Sequence, residues 1–108
     1  MDKRVFVVQD PAGKNITSAT RFGNLIQLRK TTDSVHLNVD NVIQEIANSL
    51  YDAATDDYLL PIGDPAAIII AAVILAMKND GIVNVLKWDN QSMCYYPVRI
   101  QVKEEDIY

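Results

Sequence analysis

One stretch, Tyr58 to Trp88 (YLLPIGDPAAIIIAAVILAMKNDGIVNVLKW), constrains the fold more than any other part of the chain. Tyr58 to Ile62 reads as a strand. Gly63 then turns the chain into Asp64, a favoured helix N-cap residue. Pro65 stands at the first helical position, where proline's missing N–H costs nothing. The apolar run beyond it predicts a helix to about Asn79, stopped at Asp80-Gly81 because glycine suits a left-handed C-terminal cap. Ile82 to Trp88 returns to a strand. Such a unit is a right-handed crossover between parallel strands, and it places the chain among α/β folds. The run from Pro65 to Met77 falls short of the ~20 apolar residues that span a bilayer, so it reads as a core helix.

The flanking segments extend this frame. Lys3 to Gln9 is a β-branched run closed by Asp10-Pro11 and Gly13, a first strand with its turn. Lys14 to Gly23 is polar and rich in breakers, and reads as a connection. Asn24 to Lys30 alternates as a second strand would. Val39 to Ala54 carries apolar residues at three-four spacing, with Asn38 as N-cap and Asn41, Gln44, Glu45, Asn48 and Asp52 on the opposite face. That pattern predicts an amphipathic helix covering one side of a sheet. Ile82 to Trp88 and Tyr95 to Val102 flank Asp89-Asn90-Gln91-Ser92 as a hairpin, and Pro97 marks the last strand as an edge. Lys103 to Tyr108 reads as a frayed acidic tail. The fold class is therefore α/β: one domain of two or three layers, a mixed sheet of about five strands with two helices, ending in a β-hairpin.

With 108 residues, 49% of them hydrophobic, the chain builds a single core without disulfides or metal. It has one cysteine, Cys94, so no internal disulfide forms and a reducing cytoplasm fits. The net charge is −4 and the basic residues are scattered, Arg21, Arg29 and Lys30 being the nearest to a patch. Phosphate-backbone binding needs clustered Lys and Arg, so direct nucleic-acid binding is not expected.

The second helix is apolar nearly all the way round, since Ile68, Ile69, Ile70, Val73, Ile74 and Leu75 cannot all face one sheet. A helix of that kind needs a second cover. Small-residue rows, Ala67 with Ala71 and Ala72 with Ala76, permit close packing, and Ala67, Ile70, Ala71 and Ile74 are the expected contacts with a second copy of the chain or with the chain's own first helix. A homodimer is the expectation.

Residues able to carry chemistry are few. Asp10, Asp64 and Asp89 all follow the carboxyl ends of strands, where open α/β sheets bind ligands. Side by side they would suit a divalent cation or a nucleotide. Each has a plain structural reading too: Asp10 precedes a turn proline, Asp64 is an N-cap and Asp89 starts a hairpin turn. Asp64 also presents a carboxylate to the helix N-terminus, which opposes phosphate there, and no Gly-rich loop with a following Lys is present. No cofactor and no metal site is assigned. His36 and Cys94 lie in different segments without a third group to orient them, so His36 reads as an exposed loop residue and Cys94 as a small half-buried one. Trp88, Met93, Tyr95 and Tyr96 bracket the hairpin, where aromatics pair across strands or form a contact surface.

The segments RFG (Arg21 to Gly23), DYLLPIGDPAA (Asp57 to Ala67), VLKWDNQ (Val85 to Gln91) and YYPVRI (Tyr95 to Ile100) together resemble a group of small uncharacterised proteins of tailed bacteriophages from marine and environmental viruses. The resemblance spans most of the chain and carries over no catalytic residues. It implies a viral origin and expression in the host bacterial cytoplasm. The leading expectation is a non-enzymatic phage accessory protein that contacts a host or phage protein, first through the Trp88–Tyr96 hairpin. The alternatives are a nucleotide- or metal-binding domain at Asp10, Asp64 and Asp89, and a minor virion component.

Overall fold

Val5-Phe6-Val7-Val8 has no polar face, and a strand of that kind is stable only where both sides are covered. The computed structural model, which describes residues 2–9, 15–29 and 38–108, places these residues at the heart of the sheet. Their strand, β1 (Arg4–Gln9), runs between β2 (Asn24–Arg29) and β3 (Tyr58–Leu60), and the four are at most 3% exposed. Next come β4 (Ile82–Asp89) and β5 (Cys94–Gln101), giving a five-stranded sheet in the order β2-β1-β3-β4-β5. The first three pairings are parallel and the last is antiparallel, so the sheet is mixed and ends in a hairpin as expected.

Alternation decides what lies on each face. Phe6, Val8, Leu28, Leu59 and Val83 point to one side, where α1 (Val39–Ser49) and α2 (Pro65–Lys78) cover them with Val42, Ile46, Leu50, Ala67, Ala71 and Leu75. Val5, Val7, Leu60, Leu86 and Tyr95 point to the other side. Among the described residues a single 3-10 helix, Thr17–Phe22, packs there, through Ala19 against β1, β2 and β5. One face is thus roofed by two α-helices and the other by one short turn of chain. A last helical turn, α3 (Glu104–Ile107), is fully exposed.

The local signals around α2 hold in detail. Asp64 Oδ1 accepts the Ala66 N–H at 2.7 Å and Pro65 opens the helix. At the far end Gly81 has φ +82° and donates its N–H to the Ala76 carbonyl at 2.7 Å. Ala67 and Ala71 are fully buried against the sheet, so their lack of bulk is what brings the helix close. Ile70 and Ile74 are half-buried. The outward stripe is Ile69, Val73 and Met77, at 62%, 50% and 81% exposure.

Four expectations need correction. The first helix stops at Ser49 rather than Ala54. Beyond Leu50 the carboxylate of Asp57 accepts the Ala54 N–H at 2.9 Å, and Arg4 Nη1 draws Asp52 to 2.8 Å, so these polar partners replace helical bonds. Asn38 occupies the cap position but makes no capping bond with its side chain. The third strand ends at Leu60 because Pro61 donates no ladder bond. Finally, Arg29 joins no basic patch: it is 1% exposed and pairs with Glu45 across 3.3 Å. Lys30 and His36 lie outside the described residues.

Candidate functional site

Neighbouring gaps at the carboxyl edge of the sheet differ sharply. The next described element after β1, the 3-10 helix, lies on one face of the sheet, and the one after β3, α2, lies on the other. In doubly wound sheets a divergence of this kind opens the crevice that holds ligands. Here the crevice is filled by the protein itself. Gln9 donates its N–H to the Ile62 carbonyl at 3.1 Å, and its side-chain Oε1 accepts the Asp64 N–H. Gly63, at φ +126°, leaves no room for a side chain, since a Cβ would stand 2.8 Å from that of Gln9. With the Asp64 carboxylate on Ala66 N–H, the N-terminus of α2 is already capped from within.

The gap between β3 and β4 is open. Their paired register is Tyr58↔Asn84 and Leu59↔Val85, after which Pro61 turns away while β4 runs on to Asp89. Among the described residues, Lys87 to Asp89 therefore have no strand beside them on the β3 side. A cleft of about 410 Å³ occupies this split, with Leu60 and Leu86 as its floor, Pro61 and Ile62 on one side, and Trp88 and Tyr95 on the other. Asn15 and Lys87 also line it. The aromatic wall is held rigidly: the rings of Trp88 and Tyr95 meet edge to face at 5.0 Å, and Trp88 Nε1 donates to Asn90 Oδ1 at 2.8 Å. Burial pushes the Tyr95 phenol above its ordinary pKa.

Asp64 and Asp89, two of the anticipated residues, each have local hydrogen-bond partners. Asp64 is spent on the helix cap. Asp89 ties the hairpin, its Oδ1 accepting Gln91 N–H at 3.1 Å and its Oδ2 accepting the Ser92 hydroxyl at 2.7 Å. The Ser92 hydroxyl, then the Gln91 N–H, hold the Asp89 carboxyl below the usual range. Asp10 lies outside the described residues. Among the described residues no three His, Cys, Asp or Glu groups could hold a metal ion. Cys94 is half-buried, its Sγ 3.1 Å from Ser92 Oγ.

The hairpin aromatics are divided by the sheet. Trp88 pairs with Tyr95 on the cleft face, whereas Tyr96 pairs with Lys87 on the helix-bearing face. Tyr95 is only 7% exposed and Met93 projects from the turn. Sequence reasoning missed Leu60, Pro61, Ile62 and Leu86 as cleft residues. Pro61, a strand breaker beside a longer strand, was the available signal.

The model of the Phage Pam3 gp32-like protein family matches residues 3–102. The chain belongs to that family. As a Pam3 gp32-like protein it is a bacteriophage protein, in line with the resemblance of its motifs. Among the described residues no helix is long and apolar enough to cross a membrane. Comparisons with curated proteins and with solved structures find no match.

Proposed function

We propose that this Pam3 gp32-like protein is a non-enzymatic accessory factor that works by protein–protein contact in the infected bacterium, and that it does so as a homodimer. The carrying observation is the apolar stripe Ile69, Val73 and Met77 on the outer surface of α2, half or more exposed at every position. Tyr96 and Ile100 add 39% and 44% exposed apolar surface on the same face of the sheet. Apolar area gathered on one side of a small domain marks an interaction surface. Leaving that stripe wet forgoes about 25 cal/mol for each Å² that a partner would cover.

Light scattering on the purified protein tests the dimer. The expected mass is twice the 12.1 kDa of one chain, falling to one chain in Val73→Lys with an unchanged circular-dichroism spectrum. A monomer at all concentrations removes the homodimer. Affinity purification from infected cells then tests the heterologous contact, which fails if Tyr96→Ala and Met77→Ser leave every co-purifying protein bound.

A further inference from the structure

The cleft between β3 and β4 supports an inference that does not depend on partner contact. We propose that it is a binding site for a neutral, planar heteroaromatic ring of about purine size, with a hydrogen-bonding edge.

Size comes first. A volume of about 410 Å³ falls within the roughly 300–1,000 Å³ of small-molecule sites. The cleft also lies at the carboxyl ends of parallel strands, the usual ligand edge of such sheets. Its existence has a structural cause. β4 returns through a hairpin instead of a crossover helix, so among the described residues no α-helix roofs β3 and β4 on this face. The hairpin carries Trp88 and Tyr95 beside the opening instead.

Shape and polarity narrow the ligand. The Trp88 ring is fixed through its own N–H to Asn90 and by its edge-to-face contact with Tyr95, so it offers a preset stacking wall. Pro61 and Ile62 stand on the other side. Lys87 brings no charge into the cleft: the register pairs it with Tyr96 on the helix-bearing face, so its backbone is what lines the opening. Among the described lining residues, an ionised ligand group seated inside would lose water without gaining a counter-charge. Among the described lining residues the polar groups that remain are of amide type. They are the β4 main chain beyond Leu86, which has no β3 partner, and the Asn15 carboxamide, whose Oδ1 accepts Thr17 N–H at 2.9 Å and which also carries an NH₂ donor. Donors and acceptors of that kind read the edge of a heteroaromatic ring, while the apolar floor accepts its body.

Trp88 is the sole tryptophan, so one indole N–H resonance reports on the site. Adenosine serves as the neutral probe and AMP as its charged counterpart, each titrated into ¹⁵N-labelled protein. Saturable movement of the Trp88 indole and of the Ile62 and Lys87 amides by adenosine is expected, with AMP binding no tighter. Trp88→Leu should weaken adenosine about tenfold by removing the stacking wall, read from the Ile62 and Lys87 amides. Asn15→Ala, at an exposed position, should weaken it while lowering the thermal midpoint only slightly through loss of the Thr17 N–H bond, and it serves as the test if Trp88→Leu does not fold. The proposal is overturned if no resonance saturates, if the shifts map away from the cleft, if a folded variant keeps full affinity, or if AMP binds more tightly than adenosine.

Discussion

Two gaps at one edge of the same sheet have opposite fates, and the cause lies in a handful of residues. Between β1 and β3, Gln9 folds onto the start of α2 and Gly63 makes way for it. Between β3 and β4, Pro61 ends the pairing while β4 continues, and nothing from the described chain fills the space. The position predicted by general α/β topology is thus closed, and the open position is one strand over. A topological rule names an edge; the side chains along it decide which gap can take a ligand.

The largest effects that test this contrast come from paired core truncations. Leu59 and Leu86 are each 1% exposed, but Leu59 lies under the helices and Leu86 floors the cleft. Leu59→Ala should cost about 4 kcal/mol in urea denaturation, whereas Leu86→Ala should cost about 2 kcal/mol, because fewer packed atoms surround it. Equal costs would mean that the cleft is closed in solution. Gly63→Ala comes next, at about 2 kcal/mol, from its positive φ and the 2.8 Å approach to Gln9. A Gln9→Ala background removes the Oε1 and Cγ that a Cβ at position 63 would also meet, though not the Gln9 Cβ, and should recover part of that loss; strict additivity in the double-mutant cycle would break the plug between β1 and β3 as an explanation.

Gln9→Ala alone should cost about 1 kcal/mol for the bond to Asp64 N–H. The smallest effect lies at the hairpin that holds the free end of β4. Asp89 has a folded pKa below its unfolded value, so its contribution to stability is present above the ordinary carboxylate pKa and fades as pH falls through the folded one. Ser92→Ala should move the Asp89 pKa upward in a carboxyl ¹³C titration. An unmoved value would place the anchoring of the hairpin elsewhere.

Much of this architecture was legible from residue patterns. Asp64-Pro65 and Gly81 bracket α2 through local chemistry, and the all-apolar run of β1 requires burial on both faces. The signals failed where distant partners intervene. Apolar spacing carried α1 on to Ala54, but Arg4 and Asp57, far apart in sequence, claim the polar groups of that turn: Arg4 Nη2 reaches Asp57 Oδ2 at 2.8 Å and the Arg4 N–H reaches Asp57 Oδ1 at 3.0 Å. Trp88 and Tyr96 looked like one surface until the hairpin register put them on opposite faces. The cleft could not be read because it depends on where two strands part, a property of register and not of any single residue.

The placement of β1 has a consequence for how the chain acquires its structure. β1 is a central strand, and its partner Tyr58 stands opposite Val5 although about half the chain separates them in sequence. Contacts this distant in sequence slow folding, because the intervening loop must close before they form. Until β3 is synthesised, Val5 to Val8 lack one of the two neighbours that bury them, and a nascent chain halted before Tyr58 carries an exposed apolar strand suited to chaperones or to aggregation.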